Sequence, residues 1–464
     1  MILHYHKNLN EVFMESIIQR LDIRRQLIAL TFPIFIETLL IMLAGFVDVF
    51  MLSRVSDSAV AAVGLANQVL MLVYMVFMIG VMGVTVVCSQ YIGAKDEHGF
   101  VKTISAAVAY NIFVGIVTGI FFTFFTPELI VFLDTRAELV DNATVYFEIA
   151  GGFSILVCMN MTYSGIMRSC NLARYPMYVS VVANILNIFG NYVLIFGKFG
   201  FPELGVQGAA ISTVFSRVVA CSLLFYAIKR QKVRDSIFRN MFPFPMDKLR
   251  KIMKIGLPGA GEMFSYSLSQ TVIVYLVNKL GTEALAARTY LVNIITFIFL
   301  FSLSLGQASA IIVGQLAGRK RKDAALKLGS FSLKIAVSVS VALSFCLALA
   351  GGRVMPLLTD NANIIALCLT ILWIDVVLEV GRAVNILGGR MLSAVGNPEF
   401  AFVVGVIVMW GVATLGAYVF GLYLGYGLVG MWICFAADEC LRAVFIWRHW
   451  ASQKWAKKSL IHAD

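Results

Sequence analysis

The chain has 464 residues, of which 60% are hydrophobic and 14% charged, with a mean hydropathy of +0.86 and a formal net charge of +11. So little polar surface cannot cover a water-soluble globule of this size, so the chain reads as an integral membrane protein and the soluble enzyme classes drop out. An excess of 37 basic over 26 acidic residues would suggest nucleic acid in a soluble protein, but here the placement of those charges points elsewhere.

Residues 1–26 are polar and include the amphipathic stretch NEVFMESIIQRLDIRRQL. The apolar run that follows is too long for a signal-peptide core and no small-residue cleavage site precedes it, so the first span is expected to be retained. At about 20 apolar residues per crossing, twelve spans are predicted: 28–53, 62–88, 103–125, 143–166, 173–197, 207–228, 253–278, 287–314, 329–350, 361–387, 400–423 and 427–447. The basic connector Lys229 to Lys254 divides them six and six, giving an amino-terminal lobe over 1–240 and a carboxy-terminal lobe over 241–464. Lysine and arginine concentrate in alternate loops, in the connector and at both termini, which places both termini on the cytoplasmic side of a cell (inner) membrane. The positive charge then reflects topology and contact with anionic lipid, not a nucleic-acid partner. The eight cysteines lie in or beside apolar runs without metal-ligand spacing and read as buried thiols.

The two halves repeat. Pro33, Glu37, Gln90, Gly93 and Lys95 return 225 positions later as Pro258, Glu262, Gln315, Gly318 and Lys320, and Ser-Ala-Val-Ala-Ala at 58–62 returns as Glu-Ala-Leu-Ala-Ala at 283–287. At an offset of 222, Arg168 and Pro176 match Arg390 and Pro398. This is an internal duplication. Each unit has an even number of spans, so both enter from the same side and their symmetry axis is predicted along the membrane normal, with a cleft between them.

Charges inside the spans are the candidate functional groups, because a mid-membrane carboxylate costs roughly 2.5–3.5 kcal/mol on insertion scales. Asp48 lies in the first span, where the second copy has Ile273. It reads either as a carboxylate hydrogen-bonded to a neighbouring helix or as an ion or proton site. Asn184, Asn187 and Asn191 share one face of the fifth span and supply amides able to hold a carboxylate charged or neutral; interhelical amide bonding is the other reading. Glu37 lies three helical turns from Asp48, and Arg217 is the expected partner of Glu37 in a structural ion pair. In the tenth span Asp375, Glu379 and Arg382 share a face, and Glu262 is expected beside Arg382. That stripe either lines the cleft or forms a closed network with Glu262. No P-loop is present, and His4, His6, His98, His449 and His462 are too dispersed for a catalytic or metal site.

The proline-initiated first span ending VDVFMLSRV, the AVAAVGLANQ after it, Gln-Tyr-Ile-Gly-Ala at 90–94, the block NILNIFGNYVLIFGKFGFPELGVQGAAIST and GLPGAGE at 256–262 together resemble the multidrug and toxic compound extrusion (MATE) family over essentially the whole chain. The resemblance implies an all-α membrane protein of twelve helices in two pseudo-twofold-related bundles. It implies a secondary active exporter of amphipathic, cationic organic compounds, working by alternating access as a monomer in lipid. Asp48 would then be the carboxylate that is protonated or used for sodium, with Asn187, Asn191 and Thr213 around it. Some members carry a second aspartate where this chain has Asn191. Sodium-coupled members carry a seventh-span glutamate where this chain has Tyr266 and a tenth-span aspartate where it has Arg382, so the second-half sodium site is not expected here. No cofactor is expected beyond the coupling ion, and the single carboxylate favours a proton over sodium. A flippase for a lipid-linked saccharide and a transport-inactive receptor or scaffold are the competing readings.

Overall fold

A computed structural model describes residues 2–230 and 240–457, with side chains over 22–230 and 240–456. The amphipathic face expected before residue 22 and the middle of the basic connector lie outside the described residues.

Twelve membrane-length helical segments follow one another. In the first half they are α1 (Ile2–Leu52), α2 (Asp57–Ala94), α3 (Glu97–Phe124), then, after the short α4 (Thr126–Phe132), α5 (Ala137–Tyr146) running through a π-helical turn into α6 (Ser154–Ser169), and finally α7 (Arg174–Ile195) and α8 (Gly205–Arg230). The second half has α9 (Met246–Asn278), α10 (Thr282–Gly318), α11 (Lys322–Val354), α12 (Ala362–Ala394), α13 (Pro398–Val408, continued by π turns to Tyr423) and α14 (Gly427–Ala451). Nine are apolar enough to cross a membrane by length and composition, and the α5–α6 pair, bent by 44°, makes a tenth. The other two, α9 and α14, carry polar groups within their spans. Glu262, Ser265, Ser267, Ser269 and Gln270 lie on α9, and Asp438, Glu439 and Arg442 on α14.

Helix starts follow local chemistry. Ser56 Oγ accepts from the Ala59 amide at 3.0 Å to open α2, and Asp96 Oδ1 accepts from the Gly99 amide at 2.8 Å to open α3; each satisfies a donor that the helix leaves free. Pro33 and Pro258 sit inside α1 and α9 at equivalent places of the repeat, and each removes one main-chain hydrogen bond. Lys95 and Lys320, also repeat-related, both end their helices in the left-handed region with φ 58°.

The two halves are joined at one end and separate at the other. At the end that holds residues 22–34, 169–173, 315–328 and 391–395, one apolar cluster mixes Leu27, Leu30 and Ile34 of α1 with Leu305 to Leu316 of α10, Leu387 and Met391 of α12 and Trp450 of α14. Ile252 of α9 likewise packs among Val84, Cys88, Ile104 and Ala107 of the first half. The loops at this end are the lysine- and arginine-rich ones, so it is called the basic end below. At the far end each half buries its own core: Met51 to Leu70 with Phe122 and Phe147 in the first half, and Ile273 to Ile295 with Ile371 and Trp432 in the second.

Glycines let the halves touch. A Cβ on Gly256 of α9 would run into the Ile79 carbonyl of α2, and one on Gly83 into the Ile252 carbonyl. Gly256→Ala is expected to lower the melting temperature in detergent, at a cost of about 1–3 kcal/mol from overpacking. Gly352→Ala, with nothing within 4 Å of its Cβ, should be neutral or slightly stabilising because alanine favours the helix. A Gly256→Ala protein as stable as the native one would show that the α2–α9 seam is loose.

Candidate functional site in the first half

Asp48 sits four residues before the far end of α1, which packs against α7. Asn191 Nδ2 donates to Asp48 Oδ1 at 2.6 Å, and Asn191 is fully buried. One turn earlier on α7, Asn187 Nδ2 donates to Thr213 Oγ1 of α8 at 3.3 Å, while Ser212 Oγ donates to the Asn187 carbonyl at 2.9 Å. Gly190 makes this possible, since a Cβ there would collide with Ser212 Oγ. The structure thus brings Asp48, Asn191, Asn187 and Thr213 into one polar seam between α1, α7 and α8. Asn184 lies a further turn away, half-buried, and its Nδ2 makes no hydrogen bond.

The seam extends to groups that reading the sequence missed. Tyr146 of α5 donates to Asn67 Oδ1 of α2 at 3.4 Å, and Asn160 Nδ2 of α6 donates to the Arg217 carbonyl at 3.1 Å. Both asparagines stand out as amides within apolar runs, a signal as strong as the one that singled out Asn184.

Arg217 is where the structure departs from expectation. Glu37 does not pair with it. The Arg168 guanidinium donates from Nη2 to Glu37 Oε1 at 2.6 Å, with side chains 14% and 6% exposed. Arg168 reads as a loop residue from sequence, but α6 continues to Ser169, so its long side chain reaches into the bundle from the last helical turn. Arg217 lies one turn beyond Thr213 on α8, its carbonyl accepts from Asn160, and its Nη1 is buried without a hydrogen bond.

In the second half the predicted pairing of Glu262 with Arg382 is also replaced. Arg382 Nη1 donates to Glu379 Oε1 on its own helix, and its Nε lies 3.9 Å from Glu439 Oε1. Glu262 makes no ion pair among the described residues, and its Oε1 lies against Gly405 of α13, 3.2 Å from where a Cβ there would sit. Depth alone is insufficient here, because the nearest acids to Arg382 lie on α12 and α14. Arg442 Nη2 holds Asp438 Oδ2 at 2.6 Å and Glu439 Oε1 at 3.0 Å, Asn385 Nδ2 donates to Glu439 Oε2 at 2.6 Å, and Trp432 Nε1 donates to Asp375 Oδ1 at 3.3 Å. The network expected with Glu262 does not form, since the ion pairs of this stripe run within α12 and to α14 instead. These pairs join Glu379, Asp438 and Glu439 to Arg382 and Arg442 where α12 and α14 touch at Gly381, while, among the described residues, Asp375 is bonded to Trp432 alone. Asp438, Glu439 and Arg442 stand in plain view in the twelfth span.

The position equivalent to Asp48 is Ile273, fully buried in the apolar core of the second half. The far-end carboxylate site therefore exists in one copy only.

Comparison with known proteins follows the same division. The MatE family model matches twice, over residues 33–193 and 258–419, and its two starts differ by 258 − 33 = 225, the offset of the internal repeat. The chain is 35% identical over 434 residues to the "Uncharacterized transporter YisQ" of Bacillus subtilis, covering 94% of this chain and 95% of that one. It is 29% identical to the "Probable multidrug resistance protein NorM" of Thermotoga maritima over 95% of each. A solved structure described as MATE in the bent conformation superposes with a TM-score of 0.86 at 22% identity, covering 94% of this chain and 97% of that one. With both halves matched at the spacing of the repeat and relatives aligned along nearly the whole length, this chain belongs to the MatE family of membrane transporters.

Proposed function

We propose that the protein exports amphipathic, cationic organic compounds by alternating access, driven by proton entry at Asp48. The observation that carries this reading is the single carboxylate of the far-end seam, held by the Asn191 amide at 2.6 Å and flanked by the neutral Asn187–Thr213 pair. A proton needs one oxygen. Sodium needs several oxygens converging on one point and gains from more than one negative charge, yet Asn191 stands where a second acid would help. Burial disfavours a charged carboxylate, and a group exchanging a proton needs that balance. Neutral Asp48 lets α1, α7 and α8 settle differently from charged Asp48, which biases the halves between two arrangements. The names carried by relatives, multidrug resistance among them, support the choice of cargo.

Expression in a bacterial host stripped of its own efflux pumps tests the cargo. Growth in lipophilic quaternary cations at several-fold higher concentration than in the empty host is expected. Unchanged susceptibility across such a panel, with the protein present in the membrane, would turn the reading towards the saccharide-lipid flippase.

A further inference from the structure

Two glutamines related by the repeat cross from one half of the molecule to the other at the basic end. Gln90, near the end of α2, donates from Nε2 to the Ala394 carbonyl at 2.7 Å; Gln315, near the end of α10, donates from Nε2 to the Ser169 carbonyl at 3.0 Å. Donors and acceptors shift by the same amount, 315 − 90 = 394 − 169 = 225. Ala394 and Ser169 are the last residues of α12 and α6, where helix carbonyls have no partner within the helix. Each glutamine therefore caps a helix of the opposite half. Both are buried, 0% and 3% exposed.

The backbones meet at the same place. A Cβ on Gly93 would collide with the Gln315 carbonyl and one on Gly318 with the Gln90 carbonyl, so α2 and α10 cross at van der Waals contact, as small residues allow between membrane helices. Ser89 and Gly314, another pair 225 apart, face each other across this crossing, with a Cβ on Gly314 lying 3.1 Å from Ser89 Cβ. Asn171 adds two bonds in one copy only, accepting from Gln315 Nε2 at 3.1 Å and donating from Nδ2 to Gln315 Oε1 at 3.4 Å, while the residue 225 further on is Gly396; both take the left-handed turn, φ 63° and 89°.

A charged donor also spans the halves at this end, where Lys248 Nζ of α9 donates to the Tyr91 hydroxyl of α2 at 2.8 Å. Arg168 pairs with Glu37 of its own half at 2.6 Å, so this buried ion pair does not cross the closure.

We propose that the Gln90/Gln315 crossing is the gate of the basic end, closed in this structure and opened when the two amides leave the Ala394 and Ser169 carbonyls. Neutral amide caps suit a gate. Water replaces such bonds when they break, so their net strength is modest, whereas separating a desolvated ion pair exposes two buried charges at once. The gate rests on the family's transport role and on the alternating-access reading above, but not on the identity of cargo or ion.

Two measurements test it. Spin labels carried by non-canonical amino acids at the exposed positions Glu97 and Lys322, again 225 apart, report the separation of the halves at this end. The native protein is expected to give one short distance. Gln90→Ala combined with Gln315→Ala should add a longer one, raising the open-to-closed ratio by roughly tenfold or more for two lost caps. A merely structural role would lower the melting temperature and leave the distances alone, and that result overturns the proposal.

The second measurement needs no weakened protein. Ser89→Cys with Gly314→Cys, in a cysteine-free background, brings two Cβ atoms within a few tenths of an ångström of the usual disulfide spacing of about 3.5–4.5 Å. The oxidised protein should fail to export ethidium from vesicles and should recover on reduction. Equal export by stapled and reduced protein would show that this crossing never opens. If neither form moves ethidium while the label distances change as expected, the cargo assignment fails and the gate stands.

Discussion

Asp48→Asn is expected to reach the membrane in native amounts and to lose gradient-driven export altogether. The substituted amide keeps an oxygen where Asn191 Nδ2 now donates at 2.6 Å, and it removes a charge from a site where charge is costly, so folding has nothing to lose. What disappears is the ability to alternate between two charge states. With one state left, α1, α7 and α8 have one preferred arrangement, and a proton gradient has nothing to act on. Asn191→Leu should be milder, since Asp48 keeps its charge and its exchange while losing the donor that orients it. Export in Asp48→Asn at the native rate would remove this carboxylate from the mechanism.

Arg168→Gln is expected to be among the most damaging single changes to stability. Glu37 is 4% exposed, and its Oε2 makes no hydrogen bond, so the guanidinium is its main compensation. Removing one partner of a buried pair costs about 3–5 kcal/mol, because the other charge stays buried and unopposed. Glu37→Gln should cost a comparable amount, and the double change to Glu37→Gln with Arg168→Gln less than the sum of the two, since residues in direct contact do not act additively. Thermal melts of purified protein give all three values. Additive losses would mean that the pair at 2.6 Å is not an energetic unit.

How far the sequence could be read differs sharply between backbone and side chains. The twelve spans follow from apolar run length, because a membrane imposes one helix length on every crossing. The duplication was visible as residues at a constant offset, and the same offset reappears in three dimensions as the Gln90 and Gln315 bonds. Charge pairing was far less legible. Depth along the spans placed Glu37 level with Arg217 and Glu262 level with Arg382, yet arginine carries its charge on a long, mobile stem, and Arg168 reaches Glu37 from the end of α6. The span boundary held a better clue, since Arg168 lies two residues past the predicted end of the fourth span, close enough for its long side chain to turn back into the bundle. In the second half the cue was composition: α14 carries Asp438, Glu439 and Arg442, and charges of both signs within one span point to an internal network. The seam around Asp48 was the most legible part, because amides at helical spacing opposite a lone carboxylate leave few other partners.

Separating the two possible driving ions tests the account most directly. Purified protein in liposomes loaded with ethidium can be exposed to a proton gradient alone and to a sodium gradient alone, with the membrane potential clamped in both. The account predicts export under the proton gradient, none under sodium, and none under either for Asp48→Asn. Export sustained by sodium after the proton gradient is collapsed would contradict it.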